Sequence, residues 1–243
     1  MTNTAPHEKK MRPFFSFYGG KYRIAPRYPV PLQESIIEPF AGSAGFSLRY
    51  PSLQVFLYDI DPVICGVWDY LITATENEIL SLPDIDQDKT LNDYELPQEA
   101  KWLIGFNLNK GAASPSKSMA LWGRQGGSIA EFWGVGRRER IAKQQPYIRH
   151  WRIENKPYWE IENRQAYWFV DPPYNNKAGS YYKHSNVDYR HLADWCKTRH
   201  GDVVVCENDG ADWLPFQPFF SAKANHVNGR SKNISKEVIW TSK

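Results

Sequence analysis

The apolar run Tyr167-Trp168-Phe169-Val170 stops at Asp171-Pro172-Pro173-Tyr174, and that stop constrains this chain more than any other feature. Consecutive apolar residues describe a buried strand, so the stop sits where that strand meets solvent. Two successive prolines fix two φ angles and remove two N–H donors, so the strand ends there in a stiff turn. A carboxylate, a rigid carbonyl and an aromatic ring are then held together where a buried strand reaches solvent. That set suits a planar group bearing an exocyclic amine, with two acceptors for two N–H bonds and a ring to stack upon. Taken alone, the same four residues also describe an ordinary strand-ending turn.

Upstream, Ser35-Ile36-Ile37-Glu38-Pro39-Phe40-Ala41-Gly42-Ser43-Ala44-Gly45-Phe46-Ser47-Leu48 reads as a short strand, a small glycine-bearing loop and a helix-like start. Gly42 and Gly45 allow the backbone to come close to a ligand, as in nucleotide-binding βα turns. A second strand, Val55-Phe56-Leu57-Tyr58, ends in Asp59, 17 residues after Gly42. An acidic side chain about 20 residues past a glycine loop is where a ribose hydroxyl pair is held in such units.

With these motifs in this order the chain resembles the Dam-type DNA adenine-N6 methyltransferases. The resemblance rests on Phe15-Ser16-Phe17-Tyr18-Gly19-Gly20-Lys21, on Glu38 to Gly45, on Leu57-Tyr58-Asp59-Ile60-Asp61 and on Asp171-Pro172-Pro173-Tyr174. Weaker similarity runs through Tyr189-Arg190-His191-Leu192, Val203-Val204-Val205 and Glu237-Val238-Ile239-Trp240-Thr241. Two positions depart from the family pattern: Ala44 stands where a glycine is common, and Phe17 where tryptophan is frequent. The resemblance implies S-adenosyl-L-methionine as cofactor, held by Phe17, Lys21, Phe40, Gly42, Gly45, Asp59 and Asp171. It implies double-stranded DNA as substrate, with Asp171, Pro172 and Tyr174 as the catalytic set. In that scheme the target base leaves the helix stack and Tyr174 stacks on it. Asp171 and the Pro172 carbonyl accept its amine N–H bonds. Lys21, by its type alone a surface lysine, is placed by the resemblance near the cofactor carboxylate or near Asp171.

The expected fold is α/β, a Rossmann-like methyltransferase sheet with helices on both faces and a mainly helical insertion. Residues 1–83 and 164–243 would form the catalytic and cofactor-binding domain, and 84–163 an insertion for target recognition. Strands are expected at 36–39, 55–58, 167–170 and 203–206, with a C-terminal hairpin of 219–226 and 237–241 joined past Asn228-Gly229. A helix over 62–82 follows from the i, i+4 stripe Val63, Val67, Leu71, ending at Pro83. Ser128-x-x-Glu131 is a capping-box signal before a further helix, which Gly134 and Gly136 weaken midway.

Net charge is only +3 over 243 residues, but the charge is unevenly spread. Asp59 to Glu99 holds eleven acidic residues against Lys89, whereas Lys117 to Arg152 holds eight Lys/Arg against Glu131 and Glu139. The basic stretch is interleaved with Trp122, Phe132, Trp133, Tyr147 and Trp151, the mixture nucleic-acid surfaces use. Arg137, Arg138, Arg140 and Lys143, with Arg230 and Lys232 at the hairpin tip, are the expected DNA contacts. Cys65, Cys196 and Cys206 are far apart and suggest neither disulfide nor metal site, in keeping with a reducing cytoplasmic setting. No apolar run approaches the ~18 residues of a membrane span. Met1 to Arg12 is polar and basic, has no signal-peptide pattern and is expected to be a disordered arm. His184 and His191 are expected to be structural.

Cytosine-N4 methylation remains open, since cytosine also carries an exocyclic amine, although its enzymes more often place serine before Pro-Pro-Tyr. Methylation of RNA or of a protein glutamine amide is a further alternative, the latter usually with asparagine in the first position. A catalytically inactive DNA-binding module on the same fold is the alternative outside enzymes.

Overall fold

The computed structural model describes residues 11–109, 111–119, 132–223 and 234–242. Within them one mixed sheet is built from β1 (Ser35–Glu38), β2 (Gln54–Asp59), β3 (Arg152–Asn155), β4 (Ala166–Val170), β5 (Gly201–Asn208), β6 (Gln217–Lys223) and β7 (Ile234–Thr241). Across the sheet the order is β3-β2-β1-β4-β5-β7-β6. The strands from β3 to β5 are parallel, while β7 runs antiparallel to both β5 and β6. The chain leaves β1 toward one edge and β4 toward the other, so its winding reverses between these two neighbours.

Side-chain alternation sorts the strands onto two cores. Ile36, Leu57, Phe169 and Val204 join one cluster, and Ile37, Tyr58, Trp168 and Val205 the other. Against the first face pack α1 (Pro62–Thr73) through Val67, Trp68 and Leu71, α3 (Gln98–Asn107) through Leu103 and Phe106, and α4 (Val135–Gln144) through Ile141. Against the second packs α5 (Tyr189–Lys197) through Leu192 and Trp195. The fold is therefore α/β with helices on both faces. All residues of β4 are buried, which is why that strand carries no polar alternation.

Several local expectations are corrected. The helix expected over 62–82 is two, because Thr75 and Glu78 form a capping box that starts α2 (Glu76–Leu80) afresh. The Arg149 guanidinium takes up the last carbonyls of α1, donating to Ile72, Thr73 and Ala74 at 3.0, 2.9 and 2.6 Å. Gly134 is the residue preceding α4 rather than a weak point inside it, and Gly136 lies in its first turn without breaking it. The Ser128 and Glu131 capping signal lies outside the described residues, as do Asn228, Gly229, Arg230 and Lys232.

The segment 84–163 was expected to lack strands, yet it supplies β3, which pairs with β2 from Phe56–Arg152 to Asp59–Asn155. Arg-Ile-Glu-Asn is short, charged and at an edge, with only Ile153 half-buried against the core, so it shows no alternation to read. The same segment supplies α3 and α4 to the main core. The N-terminal arm is anchored earlier than expected: Met11 is buried, and Arg12 exchanges backbone hydrogen bonds of 2.8 and 2.9 Å with the Gln144 amide. Among the described residues no helix is long and apolar enough to cross a membrane.

Candidate active site

The ends of β1, β2 and β4 are side by side, and the loops leaving them line one cavity of about 400 Å³. After β2, Asp59 ties two of these loops together. Its Oδ2 accepts the Gly42 N–H at 3.1 Å and its Oδ1 accepts the Asp61 N–H at 2.9 Å. Gly42 has φ +44°, where a side chain is strained, and an added Cβ would meet the Phe17 ring at 3.0 Å. The Trp68 indole N–H donates to the Gly42 carbonyl at 2.8 Å. Ala44 in the same loop is held at φ +47°, the left-handed region a glycine enters without penalty.

Gly45 has a different task from the one expected. A Cβ there would lie 2.6 Å from the Tyr22 nitrogen and 3.0 Å from that of Lys21. The missing side chain thus admits the chain's own Lys21–Arg23 turn against the loop. That contact buries Lys21, whose ammonium is 2.9 Å from Asp171 Oδ1 and donates to the Gly19 carbonyl at 3.1 Å. A lysine expected at the surface by type is only 6% exposed. Burial opposes its charge, but Asp171 and then Glu237 outweigh that and raise its pKa.

Asp171 follows β4 and reaches the cavity with 19% of its side chain exposed. Tyr174 does not line that cavity. Its ring lies under the Lys21 ammonium, 4.7 Å from the centroid, and its hydroxyl donates to Glu237 of β7. Pro172 is buried, and the Pro173 carbonyl accepts the Tyr189 hydroxyl at 2.7 Å. The tyrosines on the cavity wall are Tyr18, Tyr158 and Tyr182, of which Tyr182 packs 5.9 Å from Phe17 and donates to the Tyr18 carbonyl at 3.0 Å. Gly19 makes room for it, since a Cβ there would clash with the Tyr182 hydroxyl.

Glu38, Asp59, Asp61 and Asp171 face this cavity together with Lys21 and Lys183. Burial pushes Glu38 up to about 8, against hydrogen bonds from Ser47, whose N–H donates at 2.9 Å. Burial likewise raises Asp59 to about 6 against the Asp61 and Gly42 N–H groups, and Asp171 to about 6 against Lys21. Several carboxylates sharing one low-dielectric cleft are poised for a cationic ligand. Phe40, Tyr158 and the half-exposed Ile60 and Trp159 give the cavity apolar walls at its β2 and β3 side.

No family model matches this chain, and no curated protein matches it.

Of the residues singled out in the sequence, Phe17, Lys21, Phe40, Gly42, Gly45, Asp59 and Asp171 line one cavity. Glu38 and Asp61, part of the motifs but given no role of their own there, also line it, as does Tyr182, which the sequence did not single out. Glu38 had a legible signal, a lone acid closing an apolar strand before Pro39. The basic helix α4 divides. Arg138 is turned inward, with Nη1 2.5 Å from Asp84 Oδ1, so its expected phosphate contact is replaced by an internal ion pair. Arg140 is half-buried and donates to the Pro13 carbonyl at 2.9 Å. Burial and the nearby Arg137 and Arg12 charges lower Arg140 to about 10. Arg137 is half-buried and Lys143 exposed. Trp133 and Trp151 belong to the core, and Trp122 lies outside the described residues. His184 lines the cavity rim, while His191 Nδ1 meets the Tyr158 hydroxyl at 2.7 Å.

Proposed function

We propose that this protein is a cytoplasmic DNA methyltransferase that moves a methyl group from S-adenosyl-L-methionine to an exocyclic base amine, with adenine N6 the favoured acceptor. The observation that carries the reading is the placement of Lys21. Its ammonium is an N–H donor held between the Asp171 carboxylate and the Gly19 carbonyl, above the Tyr174 ring. A base amine offers the same kind of N–H bonds to the same acceptors, so a base arriving here shares or takes over the lysine's place on Asp171.

The cavity suits the cofactor. Its volume of about 400 Å³ is in the range of small-molecule sites. It lies outside the carboxyl ends of parallel strands where the winding reverses, the usual ligand position in open α/β sheets. The seven-stranded, mostly parallel sheet is consistent with the Rossmann-like fold that the resemblance implies. Asp59 and Asp61 stand where ribose hydroxyls would be held, and Glu38, kept largely protonated near neutral pH by its burial, offers a polar carboxyl on the same wall. Ile60 and Trp159 offer faces for an adenine ring. Once bound, the cofactor supplies an electrophilic methyl on a sulfonium.

The protein's own part is positioning. Asp171 accepts one amine N–H, turning the nitrogen lone pair out of ring conjugation. The amine gains one N–C bond as the methyl's bond to sulfur breaks, leaving a neutral thioether, and gives up one proton. Asp171, whose pKa burial raises to about 6 against the pull of Lys21, is the group that would take it. DNA as substrate rests on the motif order of the resemblance, and Asp171 rather than serine before Pro-Pro-Tyr favours adenine over cytosine. Incubation with methyl-labelled S-adenosylmethionine and mixed-sequence duplex DNA tests this reading. Label should enter DNA, and label found only in RNA or protein contradicts it.

A further inference from the structure

Between Tyr174 and the helix cap Asp188 the chain makes a loop, Asn175 to Val187, that contains Lys177, Lys183 and His184 but no acidic residue. Its second half closes the cavity described above. Its first half faces away from that cavity: Asn175, Asn176, Lys177, Ser180 and Tyr181 are exposed. Tyr181 is 64% exposed, more than the exposed rings of Trp159 at 52% and Tyr147 at 37%.

This ring is presented on a fixed platform. The turn Gly179–Tyr181 sits directly on the Asp-Pro-Pro-Tyr backbone, where a Cβ at Gly179 would strike the Tyr174 carbonyl. Asn176 Oδ1 accepts the Ala178 N–H at 2.8 Å, and the Asn175 N–H donates to the buried Glu207 at 2.7 Å. On the other side the Tyr181 ring leans on Tyr18 at 5.6 Å, and the next residue is pinned by its hydroxyl to the Tyr18 carbonyl. An exposed aromatic ring is thus fixed ten residues along the chain from Asp171, flanked by lysines and unopposed by acids within its loop.

We propose that this loop is the strand contact of the enzyme. Tyr181 stacks on the nucleotide beside the displaced target base, and Lys177 meets the adjoining phosphate. The proposal rests on the reading of the protein as a DNA methyltransferase. Its chemistry follows from the duplex: extracting a base leaves a gap in the stack, which an aromatic ring fills, and the neighbouring phosphates need cations. This places the contact on the active-site loop, whereas α4 spends Arg138 on an internal ion pair.

The test uses the full chain and fluorescence anisotropy on two mixed-sequence duplexes, one fully paired and one with a single unstacked adenine. Wild type should prefer the second. Tyr181→Ala should lose about tenfold on it, while Tyr181→Phe, which keeps the ring, should retain the preference. Lys177→Ala should weaken both duplexes alike and lower the log–log salt slope by about one. Neither Tyr181 nor Lys177 lines the cavity, although Tyr181 packs on the cavity-lining Tyr18, so calorimetric affinity for S-adenosylmethionine should change little in all three variants. If Tyr181→Ala keeps the wild-type preference while labelled methyl still enters DNA, the loop proposal is overturned and the methyltransferase reading stands. A wild-type protein that binds neither duplex and labels no DNA overturns both.

Discussion

The Lys21 ammonium lies 2.9 Å from Asp171 Oδ1, although 150 residues of chain separate them and the lysine is 6% exposed. The pair exists because Gly45 has no side chain to hold the Lys21 turn away. Removing one member of a buried pair strands the other charge, at a cost of up to ~3–5 kcal/mol. Lys21→Met should therefore destabilise the fold, by the lower end of that range because Asp171 opens to the cavity. Denaturant unfolding measures it, and Lys21→Met combined with Asp171→Asn should recover part of the loss.

Stability should fall as pH rises. Glu38, Asp59 and Asp171 all have pKa values raised in the folded protein, to about 8, 6 and 6. Such groups take up protons on folding, so their contribution is complete below the unfolded carboxyl range and is lost as pH climbs through 6 and then 8. Urea midpoints between pH 5 and 9 should decline, and Glu38→Gln should flatten the limb above about pH 7. A midpoint that rises over that window contradicts the buried placement of these carboxyls.

Asp59→Ala should weaken S-adenosylmethionine binding by about 1.5–3 kcal/mol, the range for hydrogen bonds to a charged group. The loss has two sources: the ribose acceptor itself, and the Gly42 and Asp61 N–H groups that Asp59 holds. Calorimetry on the folded variant checks it, and unchanged affinity moves the ribose contact to Asp61.

The residues of α4 should separate cleanly. Arg138→Ala breaks the ion pair to Asp84 and should lower thermal stability with little effect on the salt dependence of DNA binding. Lys143→Ala, at an exposed site, should leave stability alone and reduce the log–log salt slope by about one. The reverse result would place Arg138 on DNA and contradict its inward orientation.

Strands with strong local character were legible: β1, β2, β4 and β5 lie within a few residues of their expected ends because apolar runs and flanking turns mark them. β3 escaped because an edge strand of Arg-Ile-Glu-Asn owes its place to pairing with β2, a long-range contact with no local signature. The break after Thr73 was written in Thr75 and Glu78, but the apolar stripe of α1 masked it. At the site, motif spacing brought out the cavity-lining glycines and acids. It could not reveal that Lys21 is internal, since its burial depends on Gly45, nor that Arg138 pairs with Asp84 54 positions away. Tyr174 looked like the base-stacking ring from the motif alone. Its hydrogen bond to Glu237, 63 residues on, and the position of Tyr182 on the cavity wall come only with the folded chain.

Nucleoside mass spectrometry of DNA treated with the protein and S-adenosylmethionine tests the central claim most directly, with wild type and Asp171→Ala compared. The wild type should produce N6-methyladenine. The variant keeps the Pro-Pro turn but leaves the buried Lys21 charge without its partner, so it should be less stable than wild type and, compared where both are folded, should lose at least ~100-fold in methyl transfer, as when one preorganised polar group is removed from an active site. N4-methylcytosine in place of N6-methyladenine would correct the base and keep the chemistry. No methylated base in DNA from the wild type, or equal yields from wild type and Asp171→Ala, would contradict the account.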